Sequence, residues 1–350
     1  MVIAVCDHSL ERAKTYADQY GATPVDDVAA MLRESSLDAL VVATPHPQHV
    51  EPSCLAAEAG VNVLVEKPLA PTLVDCDAMI AAARKTGVQI GVVSQRRLYE
   101  PVVRMKAAID AGKLGQPVLG TFCMLSWRDD AYYQSDPWRG TWAGEGGGVL
   151  VNQSPHMLDI LQWMMGEVDE ISGYCANVNH DTIEVEDTAV ATIRFKGGGL
   201  GVVTTSVSQK PGIYTRIHIH GSNGASVGVQ TDTGATFIAG MSGVAEPPFN
   251  DLWTIPGEAD LLPGFQAEDR AHFQQVDATA HYHRLQVQDF LRAVIEDRPC
   301  NVSAEEGRRV VGMITAIYRS NAERRPIKFP VQTDLDRGRQ GSIHVRKKRR

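Results

Sequence analysis

Glu66-Lys67-Pro68 and His156 are the residues whose types and settings suit chemistry. An ammonium donates hydrogen bonds to a hydroxyl oxygen and an imidazole exchanges protons near neutral pH, so the two together suit proton transfer at an alcohol. Lys67 follows the apolar run Val61 to Val65. That places it at the C-terminal end of a strand, the edge where open parallel sheets hold ligands. A lysine standing alone would be one more surface residue, but this location and its companions set it apart. Its bond to Pro68 is of the one kind that readily adopts cis, which would fix the direction of the ammonium. A helix starting near Asn152 puts Asn152, His156 and Asp159 on one face at i, i+4 and i+7, with Leu158, Leu161 and Met165 on the buried side. The polar stripe would then face a cleft.

Other candidates sit at strand ends. Asp7 closes the run Val2 to Cys6; in a dinucleotide-binding sheet a carboxylate there accepts hydrogen bonds from the adenosine ribose and repels the extra phosphate of NADP, which favours NAD. Taken alone it reads as a helix cap. Thr44-Pro45 and His49 follow the strand Leu37 to Val42, and Gln95 follows Gln89 to Val93; with Glu66 and Lys67 they make up the expected cofactor contacts. Arg96, Trp138, Arg139, Asn152 and Gln153 join Lys67 and His156 as expected substrate contacts, because indole offers a flat apolar surface and guanidinium a planar fork. Arg97 and Arg128 flank the same region, and packing roles compete for all these arginines and the tryptophan. His281-Tyr282-His283 has the spacing of a metal pair, but no cysteine or acidic ligand stands nearby in sequence, and no metal is expected.

The elements that would position these groups follow from periodicity. Residues 1–97 alternate short apolar strands with the helical patterns Ser9 to Tyr20, Val25 to Glu34, Gln48 to Ala59 and Leu73 to Thr86, which predicts a doubly wound, Rossmann-like parallel sheet covered by helices on both faces. A dinucleotide fold opens with a strand and GxGxxG ahead of the acidic residue. Nothing precedes Val2, and Gly144 to Gly148 lie outside any strand-turn-helix setting, so the domain is expected to be incomplete, with its glycine loop upstream. Residues 98–335 predict an α+β domain with a large, mostly antiparallel open sheet. A helix Pro101 to Ala111 and a strand Val118 to Ser126 lead into the strands Val168 to Tyr174, Asp187 to Phe195, Gly199 to Val207 and Tyr214 to His220, joined by short turns. Helices near 280–296 and 304–322 close the fold, 240–270 reads as a surface excursion, and 336–350 as a disordered basic tail.

Composition narrows the partners. The chain has 350 residues, 43% hydrophobic and 22% charged, with a net charge of −8. Length and apolar content allow two cores, and the acidic balance gives no broad reason to bind nucleic acid or anionic lipid, leaving a small molecule as the expected partner. Six cysteines without CxxC pairing, no basic leader and no run of about 20 apolar residues predict a reduced, cytoplasmic protein without a membrane span.

The succession Ala4-Val5-Cys6-Asp7, Ala43-Thr44-Pro45 with His49, Glu66-Lys67-Pro68, and Gly146-Gly147-Gly148-Val149-Leu150 with His156 and Asp159 resembles the Gfo/Idh/MocA oxidoreductases. The resemblance extends to Asp289-Phe290-Leu291 and Glu305 to Arg309, and lacks the family's first ~30 residues. It implies a Rossmann domain followed by a domain whose open sheet often forms an oligomer interface, hence a homo-oligomer, dimer or tetramer. It also implies NAD-dependent hydride exchange with a ring hydroxyl of a sugar, glycoside, nucleotide sugar or cyclitol, Lys67 contacting the hydroxyl and His156 acting as general base or its partner. Asn152 stands where inositol-dehydrogenase-like members carry aspartate; the Asn-Gln form resembles members acting on nucleotide sugars or glycosides. The alternatives are a lyase or glycosidase that keeps its NAD through transient ring oxidation, and a non-catalytic NAD-binding regulator.

Overall fold

The computed structural model describes residues 1–231, 247–332 and 344–345. The first 97 residues contain two groups of parallel strands. β1 (Ala4–Cys6) pairs with β2 (Thr23–Val25), and β3 (Ala39–Val42), β4 (Asn62–Val65) and β5 (Ile90–Val92) form a second, three-stranded sheet. Helices α1 (Leu10–Tyr20), α2 (Val28–Glu34), α3 (Val50–Glu58) and α4 (Leu73–Thr86) make the crossovers. Their starts are chemically marked: Ser9, Asp27 and Thr72 side chains accept the N–H groups of Arg12, Ala30 and Asp75, which satisfies donors a helix start otherwise leaves open. Sequence periodicity runs α2 back to Val25, but Thr23-Pro24-Val25 is a strand, too short and too interrupted by proline to announce itself. Val63 and Val65 are fully buried, as expected of strands covered on both faces. Val41 on β3 is exposed, and β1 and β3 do not pair with one another.

The second region is built on a nine-stranded sheet with the path β12, β11, β10, β6, β9, β8, β7, β13. Its strands are β6 (Pro117–Leu125), β7 (Val168–Asn177), β8 (Thr188–Phe195), β9 (Leu200–Ser206), β10 (Tyr214–Gly221), β11 (Ser226–Thr231), β12 (Phe249–Trp253), β13 (Ile327–Lys328) and, off the path beside β7, β14 (His344–Val345). Along this path the pairing is antiparallel except between β6 and β9, which run parallel because β6 enters between β9 and β10; off the path, His344–Val345 pairs parallel with β7. The hairpin reading of the turn at 207–213 therefore fails for that one junction. Helix α8 (Pro155–Met165) packs on β6, and α11 (Ala304–Glu323) packs on β7. The other face is open: Tyr174, Val190, Val202 and Leu200 are exposed on registered strands.

Two stretches depart from expectation. Within the expected excursion at 240–270, β12 is an edge strand, and α9 (Leu262–Gln275) is a helix whose Phe265 meets the Trp253 ring edge-on at 5.3 Å. Residues 240–246 of that excursion lie outside the described residues. In the expected disordered tail, His344–Val345 (β14) pairs with Ala176 and Asn177 of β7; the remainder of 336–350 lies outside the described residues. A strand needs only backbone pairing, so the polar composition that signals disorder did not exclude it. All six cysteines are free, and among the described residues no helix is long and apolar enough to cross a membrane.

The chain also crosses back. Helix α10 (Ala278–Ile295) lays Phe290 and Ala293 against Leu64 and Val93, and Ser303 bridges Gly91 on β5. The strand ends carrying Lys67 and Gln95 are thus enclosed by elements from both halves of the sequence.

Candidate active site

Lys67 stands two residues beyond β4, after Glu66, and its peptide bond to Pro68 is cis. Its Nζ reaches across to the second region, donating to the Asn152 carbonyl at 3.0 Å and to Asn152 Oδ1 at 3.3 Å. Burial pushes the Lys67 ammonium below its usual range, while the Glu66 and Glu145 carboxylates hold it up. Glu66 falls below the ordinary carboxylate range: burial works against ionisation, and the His283 hydrogen bond and the Lys67 charge outweigh it. The result is a buried cation whose proton is more easily given up than that of a lysine in water.

Asn152 is fixed from several sides. It ends the short helix α7 (Val149–Asn152), and its Nδ2 donates to Tyr132 Oη at 3.1 Å and to Glu145 Oε1. Gln153 Nε2 and the Arg139 guanidinium converge on the same phenol, at 3.3 and 2.6 Å. The Arg139 guanidinium also lies over the rings of Tyr132 and Trp138, and Trp138 meets the buried His46 edge-on. Burial, with the Lys67 charge behind it, drops His46 to about 3, so it is neutral; its Nδ1 lies 2.9 Å from the Glu145 carbonyl. The wall is aromatic, cationic and hydrogen-bonding at once.

The three glycines ahead of α7 build this wall. Gly146 has φ +84, in the left-handed region, and a side chain on Gly148 would collide with the Glu186 carbonyl. Glu186 in turn accepts the N–H groups of Gly148 and Leu150 at 3.0 and 2.9 Å. The run is a packing device beneath Asn152 and no phosphate cradle.

His156 lies on α8, not on a helix shared with Asn152. Pro155 begins α8 and has no N–H to continue α7, so the continuous helix expected from Asn152 breaks at Gln153-Ser154. Both side chains still converge on Lys67, and Lys67, Pro68, Val93, Ser94 and His156 line one small cavity. His156 is 8% exposed and its Nδ1 is buried without a hydrogen-bond partner. Burial first, then the charges of Arg96 and Lys67, hold it well below the usual histidine range, so it is neutral at neutral pH. Gln95 Oε1 is likewise buried without a partner. An orphaned imidazole nitrogen in the cavity that the half-buried Lys67 also lines fits a bound alcohol, because a native interior rarely leaves such an atom unmatched.

Asp159 lines the same cavity, as the expected stripe requires, but its carboxylate is fully occupied. It receives Arg97 Nη2 at 2.5 Å, Arg97 Nε at 2.7 Å and Ser94 Oγ at 2.5 Å, while Arg97 also meets Glu306. Arg97 is consequently a buried structural cation, unable to grip a ligand. Arg128 is 2% exposed and lies over the Tyr132 ring. His49 is also enclosed: its ring nitrogens lie 2.9 Å from the carbonyls of Pro68 and Thr44, so it braces the Lys67 turn. Thr44 is exposed and its Oγ1 donates to the Gln48 carbonyl; Pro45 leads into the turn carrying His46. The Arg96 carbonyl accepts the Tyr99 N–H, and its guanidinium has neither hydrogen bond nor ion pair among the described residues. Asp7 is separate from this cluster, at the end of β1, where it accepts Ser9 N–H at 2.8 Å and lies 3.4 Å from Arg12. Glu145 and Tyr132 escaped the sequence reading as site residues, while His46, in the run Thr44 to His49, and His283, in His281-Tyr282-His283, stood in noted motifs but were not assigned to this cluster. Glu145 had the signal of an acid within Gly144 to Gly148; Tyr132 had none, being brought in by tertiary packing.

A parallel sheet with strand-end ligand groups, joined to an open antiparallel sheet across a buried Lys–Asn–His cluster, defines a two-domain dinucleotide-dependent oxidoreductase. Residues 1–94 match the oxidoreductase family with NAD-binding Rossmann fold, and residues 102–227 match the GFO/IDH/MocA C-terminal domain. The chain belongs to the Gfo/Idh/MocA oxidoreductase family. It is 27% identical to the WlbA dehydrogenase of Bordetella pertussis, solved in complex with NADH and UDP-GlcNAcA, with a TM-score of 0.82 over 94% of this chain and 90% of that one. It is 30% identical over 60% of its length to D-apiose dehydrogenase of Paraburkholderia graminis, of which it spans only 54%. To 1,5-anhydro-D-fructose reductase of Ensifer adhaerens it is 27% identical over 71% of this chain and 75% of that protein.

Proposed function

We propose that this protein is an NAD-dependent dehydrogenase that moves a hydride between the nicotinamide and a ring hydroxyl of a sugar, glycoside, nucleotide sugar or cyclitol. The observation that carries this is the cavity beyond β4 that Lys67 and His156 line together, with His156 Nδ1 buried and without a partner. Asp7, Thr44, Pro45, Glu66 and Gln95 form the cofactor side, with His49 positioning the loop beneath. Bound NAD supplies the hydride acceptor. Lys67 donates a hydrogen bond to the reacting hydroxyl oxygen, which stabilises the alkoxide character that develops as the carbon–hydrogen bond weakens. The neutral His156 imidazole accepts the hydroxyl proton, and in the reverse direction returns it. Asn152, an amide in place of a carboxylate, holds Lys67 but takes no proton. Burial of the cluster keeps bulk water from competing with the substrate hydroxyl.

Trp138, Arg139 and Gln153 form the sugar-facing wall. The unpaired Arg96 favours a substrate bearing an anionic group, and the likeness to a dehydrogenase solved with a nucleotide sugar supports the same choice. Asp7 favours NAD over NADP. A cytoplasmic homo-oligomer assembled through the open sheet face, where Tyr174, Val190 and Val202 are exposed, completes the reading.

The test is incubation with NAD⁺ and a panel of free, glycosidic and nucleotide-linked sugars while NADH absorbance is followed. Substrate-dependent accumulation of NADH is expected. Product formation without net NADH would instead indicate a cofactor-retaining lyase, and NAD binding without any turnover a regulator.

A further inference from the structure

The pair His281-Tyr282-His283 does not act as one unit. Two residues along a helix turn the side chain by roughly 200°, so the two imidazoles leave α10 in different directions. His283 Nε2 lies 3.6 Å from Glu66, beside the catalytic cluster. His281, in the first turn of α10, faces His272 in the last turn of α9, with ring centroids 5.4 Å apart. The corner between the helices is set by Asp277, which caps α10 by accepting the Ala280 N–H. Glu100, the first residue of α5 (Glu100–Asp110), completes the group: its Oε1 lies 3.2 Å from His272 Nε2.

We propose that Glu100, His272 and His281 form a site for a divalent transition metal, Zn²⁺ foremost, which no part of the oxidoreductase chemistry uses. One donor atom from each lies within 4.8 Å of the others. Tetrahedral ligands at about 2.0–2.1 Å from zinc stand a little over 3 Å apart; the Glu100–His272 pair is already at that spacing, and a small rotation of the His281 ring closes the set. His272 Nε2 is buried with no hydrogen-bond partner, its approach to Glu100 lacking hydrogen-bond geometry. The carboxylate is oriented from behind by Tyr282 Oη, which donates to Glu100 Oε2, the kind of outer contact that fixes a ligating carboxylate. Two imidazoles with one carboxylate select zinc-like ions over calcium or magnesium, which prefer oxygen sets. All three residues are partly exposed, which leaves an entry path and a position for water.

The rival occupant is Arg284, whose Nη2 lies 3.2 Å from His281 Nδ1. It is exposed and free to swing away, and a bound dication would repel it. The ion would tie α5, α9 and α10 together just behind the turn carrying Gln95 and Arg96, and so act as a structural clamp outside the catalytic cluster.

The experiment uses the full chain stripped with a chelator and titrated with Zn²⁺, and separately with Co²⁺ as a spectroscopic probe. The expected result is one Zn²⁺ per chain, a rise in melting temperature on binding, and the visible d–d bands of a low-coordinate Co²⁺ site. Since loss of an outer-shell partner alone weakens metal sites 10–100-fold, His272→Gln and His281→Gln should each weaken Zn²⁺ binding at least about 100-fold and abolish the bands. Arg284→Ala, which removes no ligand, should bind at least as tightly as the unaltered chain. Absence of Zn²⁺ uptake by the stripped chain, unchanged binding in both histidine variants, or loss of binding in Arg284→Ala would each overturn the assignment.

Discussion

Two buried polar clusters lie one turn apart on α8 and differ in how completely they are satisfied. Around Asp159, both carboxylate oxygens receive donors from Arg97 and Ser94, and Arg97 is also held by Glu306. Around His156, the Nδ1 has no partner, and Lys67 is held by one residue of the opposite wall. Both clusters bridge the parallel-sheet region to the second sheet. The first is finished without a ligand and belongs to the scaffold; the second is finished only when something binds. Satisfaction of hydrogen bonds, more than burial or charge, separates structure from function here.

That contrast breaks most visibly at Asp159. Asp159→Ala leaves the buried Arg97 with Glu306 as its one remaining carboxylate, and removal of one partner from a buried pair costs about 3–5 kcal/mol; urea unfolding should show a loss approaching this size or no soluble protein. Lys67→Met and His156→Gln should do the reverse: melting close to the unaltered protein, but turnover reduced about 10²–10⁴-fold, as expected when a proton-transfer group is lost. If Asp159→Ala proves stable while Lys67→Met unfolds the chain, the two clusters have been assigned the wrong way round.

The next effect sharpens the electrostatics. His46 is held near 3 by burial, and His156 is also well below the normal value. The unfolded chain therefore binds protons that the folded chain refuses once the pH drops below about 6.5. Stability contributed by these groups is full above that pH and lost as pH falls toward their folded values, by on the order of 1.4 kcal/mol per pH unit for each. Denaturant unfolding between neutral and mildly acid pH checks the slope, and replacement of His46 by a neutral isostere should flatten it. The smallest expected effect is at the distal end of the cofactor: Asp7→Ser should narrow the preference for NAD⁺ over NADP⁺ about tenfold, measured by titration of both.

Much of this was legible in the sequence because strand ends are marked by apolar runs that stop abruptly. Val61 to Val65 followed by Glu66-Lys67-Pro68 located the ammonium, and Gln89 to Val93 located Gln95, without any structure. The helix from Asn152 was misread because Pro155 was weighed as part of a periodic pattern when its missing N–H ends one helix and starts another. Arg97 and Arg128 could not be told from Arg96 by type; only the tertiary partners Asp159, Glu306 and Tyr132 distinguish them. Tyr132 carried no local pattern, and the HxH spacing of His283 did not point to Glu66. Glu100, on a helix distant in sequence, meets His272 and His281 on two consecutive helices, a juxtaposition that ligand spacing along the chain does not encode.

The most direct test pairs NADH binding with turnover in Lys67→Met and His156→Gln, using the best substrate from the sugar panel. The account predicts NADH affinity within about threefold of the unaltered protein alongside turnover lower by at least about 10²-fold. Turnover retained in both variants would contradict it and remove this cluster from the chemistry.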